Sequence, residues 1–342
     1  MTMTPRERMD ALFSGTHTDR PAVCLHMWGR YPFQVFGKEA LWDEKRVPGY
    51  ADVYADFMRR FPCDWYHVCE GRPWRGGLPS RPPADSFTPE ITREAVDRWV
   101  DGNFDGQTIS REDAVASGMY DHVRALRDRD GDRAMVVPNS GAPGSGFPWL
   151  SWEDQMILVQ QDHDLVAHYV ERDCQRFLER VLAAGDQGAD GYIFSEGYGG
   201  ACDLSSPACY EKVFLRPKQT FYRQVRDAGL LGIGYFLGGI LPFIDLINEV
   251  GVDGVLIEES KKTFHLDPVE IRKRLDPRVI LFGNVDSYLL LTGPSSAIRD
   301  AVARQAEARA HGPFVHANGS PLCPGTPPEH IEAFLEAASG EG

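Results

Sequence analysis

The sequence predicts one parallel α/β domain over residues 1–342, a (β/α)₈ TIM barrel, and three observations carry that reading. Eight short apolar runs alternate with longer capped or amphipathic segments, which is the pattern of repeated β/α units. The runs end in Gly, Asn, Asp, Glu or His, the residue types found where barrel strands present their C-terminal tips. The chain has 342 residues, which one barrel with insertions accommodates.

Taken in order, Thr4-Pro5-Arg6-Glu7 opens a short helix that Gly15 can end. Arg20 to His26 reads as the first strand, running into Met27-Trp28-Gly29-Arg30-Tyr31. Residues 52–61 have amphipathic spacing, and Asp64 to Glu70 forms the second strand. Gly71 to Ser86 is rich in Pro, Gly and Arg and too long for a plain connector. With a hairpin expected around Ala95–Ile109, residues 71–110 read as an insertion or lid over the barrel mouth. A helix over 112–129 leads to strand three, 134–138, and a glycine-rich tip, Gly141 to Gly146. No lysine follows those glycines, so the tip reads as a flexible loop rather than a phosphate cradle. Helices over 149–160 and 164–184 precede strand four, 191–195, which is tipped by Glu196. A helix over 207–228 leads to strand five, 232–236; one over 242–250 leads to strand six, 254–257, tipped by Glu258 and Glu259. After a helix over 268–275, strand seven, 279–282, ends at Gly283-Asn284-Val285-Asp286. Strand eight, 313–316, ends at His316-Ala317-Asn318-Gly319. Thr326-Pro327-Pro328-Glu329 then reads as a capping box opening the last helix.

Charge and composition exclude several classes. A net charge of −14 argues against nucleic acid and anionic membranes as partners, and sits badly with a polyanionic substrate. The charged N-terminus lacks the apolar core of a signal peptide, and no run approaches the roughly 18 apolar residues of a membrane span, so a cytoplasmic location is expected. Cysteines at 24, 63, 69, 174, 202, 209 and 323 show no framework spacing and fit reduced thiols.

Gly283-Asn284-Val285-Asp286, Leu290 to Gly293, and Cys323-Pro324-Gly325-Thr326-Pro327-Pro328-Glu329-His330 together resemble the last two β/α units of the uroporphyrinogen decarboxylase superfamily. That superfamily includes tetrapyrrole decarboxylases and methyltransferases that pass methyl groups between small substrates, corrinoids and thiols. Gly29-Arg30-Tyr31 is similar to the decarboxylase opening, but His26 stands where those enzymes carry a carboxylate-binding arginine. Glu70 falls about where they carry the aspartate that contacts the pyrrole nitrogens, and Ser320 where they carry a histidine. The zinc methyltransferases end strand five in His-x-Cys; Tyr235-Phe236-Leu237 occupies that place here, while Cys323 matches their later cysteine. Neither signature is intact, which marks a divergent branch.

The resemblance and the strand tips give the candidate site. His26, Glu70, Glu196, Tyr235 and Asp286 are the catalytic candidates, and Arg30, Glu258 and Asn318 the substrate-binding ones. Cys323 and His316, with a carboxylate, are the candidate ligands of a metal such as zinc. Plainer readings stand beside these. Asp286 could cap the helix at Ser287, Glu258 and Glu259 face opposite sides of a strand, and Cys323 or His316 could be packed structural residues. The expected activity is methyl transfer from a small methylated substrate to a corrinoid carrier, metal-assisted through Cys323. The alternatives are cofactor-independent decarboxylation of a small carboxylate or tetrapyrrole, and a non-catalytic ligand-binding barrel. The expected partners are the small substrate, a corrinoid protein and a second copy of the chain as a homodimer. Cys323 is expected close to His316 or a glutamate, with a lowered pKa.

Overall fold

Side chains alternate across each strand, so every strand here has one face toward the barrel axis and one toward the surrounding helices. The computed structural model describes residues 2–43, 47–69, 91–102, 110–144, 146–147, 150–197 and 201–340. Its strands are β1 (Ala22–Val23), β2 (Trp65–Cys69), β3 (Met135–Gly141), β4 (Gly191–Glu196), β5 (Leu231–Phe236), β6 (Gly254–Ile257), β7 (Ile280–Phe282) and β8 (Phe314–His316). They form one sheet in the order β1-β8-β7-β6-β5-β4-β3-β2, with every pair parallel. The curled sheet and its coat of helices form the expected (β/α)₈ architecture.

No ladder joins β1 to β2 among the described residues. That seam is bridged mainly by side chains. Val23 N donates to Asp64 Oδ2 at 2.8 Å, Trp65 Nε1 to the Leu25 carbonyl at 3.0 Å, and Met27 N to His67 Nδ1 at 3.2 Å; one backbone bond, Asp64 N to Val23 O, adds 2.8 Å. Asp64, fully buried, is held by Arg8 and Arg20.

The alternation separates two cores. The inner one contains Ala22, Cys24, Trp65, Met135, Val137, Ile193, Ile233, Tyr235, Leu256, Ile280, Phe282, Val315 and Ala317. The outer one, between strands and helices, takes the intervening residues such as Val23, Leu25, Tyr66, Val136, Phe194, Val255, Leu281 and Phe314. This parity decides which strand-tip side chains reach the mouth.

The helices are α1 (Pro5–Phe13), α2 (Arg30–Val35), α3 (Glu39–Asp43), α4 (Val47–Arg60), α5 (Arg93–Gly102), α6 (Arg111–Ala116), α7 (Asp121–Asp130), α8 (Trp152–Gln161), α9 (His163–Asp186), α10 (Pro207–Tyr210), α11 (Arg216–Asp227), α12 (Ile244–Val250), α13 (Pro268–Arg274), α14 (Ser287–Thr292), α15 (Ser295–Ala306) and α16 (Pro328–Ser339). The capping box at Thr4 and Glu7 forms as expected. Three expectations fail. The hairpin from Ala95 is a helix, α5, because Ala95, Val96 and Val100 bury one helical face and the Thr92 hydroxyl caps the Ala95 N–H at 3.2 Å. Residues 71–90 and 103–109 of the expected lid lie outside the described residues. The helix expected over 112–129 splits at Gly118, whose φ of 73° is left-handed. The box expected at Thr326 does not form: Pro327 is the N-cap of α16, and the Thr326 hydroxyl donates to the Cys323 carbonyl at 2.8 Å. Between α10 and α11 the chain widens into a π turn over Glu211–Leu215.

Candidate active site

The mouth is organised by His26, which follows β1 on the inward side. Asn318, after β8, fixes its backbone from both sides. Asn318 Oδ1 accepts from His26 N at 2.9 Å and Nδ2 donates to the His26 carbonyl at 2.7 Å. Asn318 Nδ2 also donates to the Ser320 carbonyl at 2.7 Å, and the residue is fully buried. Its amide is consumed by backbone, so Asn318 positions His26 and is not the substrate contact expected from the sequence. The His26 ring donates from Nδ1 to the Gly319 carbonyl at 2.7 Å, because a carbonyl can only accept. Nε2 is therefore the lone-pair nitrogen of the neutral ring. It is buried and has no hydrogen-bond partner among the described residues. Burial pushes His26 down to about 4 despite that carbonyl, so the ring is neutral at pH 7.

His26 is framed by two rings. His67 of β2 lies parallel at 5.2 Å between centroids, with 10° between planes, and Tyr235 of β5 meets it edge-on at 4.6 Å. His67 Nδ1 accepts from Met27 N, so its proton sits on Nε2. Burial, with neighbouring His26 second, pushes His67 well below the ordinary histidine value. Asn139 pairs in register with Cys69 and is near enough to act on the His67 ring, but its Oδ1 makes no bond of acceptable geometry. Sequence reasoning missed His67 by reading the second strand for its last residue. The alternation Trp65, His67, Cys69 against Tyr66, Val68 carried the signal.

The far side of the mouth is acidic. Burial raises the Glu258 carboxyl, against one bond from Gly238 N at 2.8 Å. Burial raises the Tyr235 hydroxyl too, and Glu258 adds to it, so Tyr235 stays protonated. Glu259 clamps the loop after β8. Its carboxylate accepts from Ser320 N at 2.7 Å and Ser320 Oγ at 2.8 Å, and pairs with Lys261. Burial works to raise Glu259, but Lys261 and those bonds outweigh it and hold the carboxyl low. Gly319 permits this clamp, since a Cβ there would stand 2.3 Å from the Glu259 nitrogen. Glu258 is thus the strand-six carboxylate available at the mouth.

Several expected residues lie elsewhere. Glu196 shares the outward parity of Tyr192 and Phe194. It is fully buried, pairs with Lys218 and accepts from Tyr222 Oη at 2.8 Å, so it is a structural carboxylate under α11. His316 likewise faces outward, its ring edge-on to Phe314 at 5.2 Å, and so cannot join Cys323 at the mouth. Asp286 caps α14 by accepting from Tyr288 N at 2.8 Å, and faces a groove of about 600 Å³ beside the mouth with Glu259 and Asn284. Arg30 opens α2 and is exposed; Gly29 before it has φ 44° and packs against Trp42 and Cys69 with no room for a Cβ. Glu70 lies outside the described residues. Cys323 is half-buried, and its charged neighbours are Glu259, Asp286 and Lys261. Burial raises its thiol and the two carboxylates add to that, the reverse of the expected activation. The expected His316–Cys323 metal pair is therefore not assembled, and no three His, Cys, Asp or Glu side chains converge among the described residues. All seven cysteines are free thiols, as expected.

The pattern of the family described as "Uroporphyrinogen decarboxylase (URO-D)" matches residues 89–340, most of the chain. The chain belongs to the uroporphyrinogen decarboxylase family. A uroporphyrinogen decarboxylase of Acidiphilium cryptum is 31% identical over 182 residues, covering 52% of this chain and 48% of that protein. One of Novosphingobium aromaticivorans is 22% identical over 233 residues, 66% of each chain. The chain thus spans about half the length of the first of these relatives. A methyltransferase from Methanosarcina mazei has the same fold, with a TM-score of 0.72, 18% identity and 99% coverage of both chains. Family membership fits an enzyme, and in the described residues no helix is long and apolar enough to cross a membrane.

Proposed function

We propose that this family member transfers a methyl group from a small methylated compound to a corrinoid carrier, with acid–base help from the mouth side chains. The observation that carries the reading is the protonation pattern around His26. Among the described residues, the mouth holds a neutral imidazole, a protonated phenol and a carboxyl raised toward its acid form. Lys261, beside the mouth, is already paired with Glu259. A tetrapyrrole bearing many carboxylates would meet Glu259 and Asp286 beside the mouth, and like charges repel.

In methyl transfer the bond from carbon to the leaving atom breaks, the leaving atom keeps the electron pair, and it must gain a proton. Glu258 is the general acid for that proton, because it lies on the inward side of the β6 tip and burial favours its protonated form. Tyr235 donates a hydrogen bond to the developing charge, and neutral His26 orients the substrate through Nε2. Zinc is given no step, since the Cys323 and His316 side chains do not meet.

The test is anaerobic incubation of purified protein with methylated alcohols, amines and thiols and a reduced corrinoid, following the corrinoid spectrum. Methylation of the corrinoid with any of these donors is the expected result. Conversion of uroporphyrinogen at roughly 0.1 per second or faster, with no corrinoid methylation, would replace this reading by decarboxylation, which the family assignment favours as the second choice.

A further inference from the structure

His26 and His67 present opposite polarities toward the mouth, and backbone groups fix both. The Gly319 carbonyl can only accept, so His26 must donate from Nδ1 and leave Nε2 as a bare acceptor. The Met27 N–H can only donate, so His67 must accept at Nδ1 and carry its proton on Nε2. Neither ring can reverse its role without breaking a bond to backbone that is itself locked: Asn318 and Leu322 N hold the His26 carbonyl, at 2.7 and 3.0 Å. The rings are parallel, 5.2 Å apart, and fully buried. His26 Nε2 lacks a partner among the described residues, and His67 Nε2 and Asn139 Oδ1 make no bond of good geometry there, although the Asn139 side chain lies close enough to act on the His67 ring. What sets this pair apart from other unpaired buried atoms of the chain is its geometry: two stacked rings of opposite polarity on the inward side of the barrel strands, where a polar group of a ligand can meet both.

We propose that the His26–His67 pair is a recognition element for an uncharged substrate group carrying a hydrogen-bond donor beside an acceptor, with a carboxamide as the best match. The donor N–H meets His26 Nε2, with Asn139 Oδ1 as a second acceptor, and the carbonyl oxygen meets His67 Nε2–H. A carboxylate has no donor and would set its charge against the His26 lone pair. An amidinium has no acceptor and would set its N–H groups against the His67 N–H. A buried group left facing the wrong partner costs enough to discriminate strongly. Both rings are neutral at pH 7, which suits an uncharged ligand. The inference deepens the proposed reading by naming the substrate class of the same site, and it rests on that site being the mouth.

The test reads binding rather than turnover, so it can fail while methyl transfer stands, or hold while methyl transfer fails. Benzamide, benzoate and benzamidine share one shape and differ in the required polarity. Titration of the full chain with each should show benzamide binding at least about tenfold tighter than either ion. Nitrogen-15 spectra of the histidine rings should place the proton on Nδ1 of His26 and on Nε2 of His67, and both signals should move with benzamide. His26→Gln and His67→Phe should each reduce the preference to less than about threefold. Equal or tighter binding of benzoate or benzamidine overturns the proposal. So does a ring spectrum with the opposite tautomers, and so does the absence of any ring response to benzamide. The wild-type spectrum decides the matter even if a variant fails to fold.

Discussion

His26 and His316 belong to neighbouring strand paths, β1 and β8, where Val23 pairs in register with His316. Both are buried, and burial pushes both down to about 4. Yet His26 faces the barrel mouth between His67 and Tyr235, while His316 faces the outer layer against Phe314. The same contrast separates Glu258, at the mouth, from Glu196, which lies under α11 with Lys218 and Tyr222. Buried titratable groups at strand tips are therefore not equivalent. A difference of one residue in strand parity moves a side chain from the site to the scaffold.

The widest separation is expected in activity. His26→Gln should lower methyl transfer by about 10²–10⁴-fold, the usual range for a proton-handling or orienting group. His316→Phe should leave turnover within about twofold. Equal losses in the two variants, measured side by side, would break the comparison.

The carboxylates should show the reverse order. Glu196→Gln strands the Lys218 ammonium, which is 2% exposed on its side chain, and should cost about 3–5 kcal/mol in urea unfolding. Replacing both, as Glu196→Leu with Lys218→Met, should recover most of that loss. Glu258→Gln should change stability by less than about 1 kcal/mol while reducing turnover. A stability loss at Glu258 as large as that at Glu196 would count against its role at the mouth.

Acid should destabilise the fold through both histidines. Their folded pKa of about 4 lies below the ordinary 6.5, so between those values the unfolded chain binds more protons. Stability is then flat above pH 6.5, falls as pH drops toward 4, and loses roughly 3 kcal/mol per histidine over that window. His316→Phe should remove no more than about a third of the acid sensitivity that His26, His67 and His316 contribute together, read as the change in unfolding free energy between pH 7 and pH 4.5. An unchanged pH slope would show that His316 is not buried neutral.

The smallest effect is expected at Cys323. Its thiol is raised by burial and by Glu259 and Asp286, so alkylation at pH 7 should be slower than for an exposed thiol. Cys323→Ser should alter turnover by less than about threefold. A loss of tenfold or more would restore Cys323 to the centre of the chemistry.

The eight strand runs, their parallel alternation with helices and the family were legible because each is written locally, as apolar runs, caps and the Gly283–Asp286 and Cys323–His330 motifs. The inward place of His26 at the end of the first strand run was legible too, from its even spacing with Ala22 and Cys24. Misplacing His316 and Glu196, and overlooking His67, have one cause. A strand tip read as a list of residues does not say which face each one takes, although the alternation of Trp65, His67 and Cys69 against Tyr66 and Val68 was available. What no local pattern could supply was the docking of the loop after β8 onto β1. Asn318 and the Gly319 carbonyl are nearly three hundred residues from His26 in sequence, yet they set its backbone, its tautomer and its bare Nε2. Closing the barrel brings those groups together, and the protonation of the site follows from that contact rather than from the residues' own preferences.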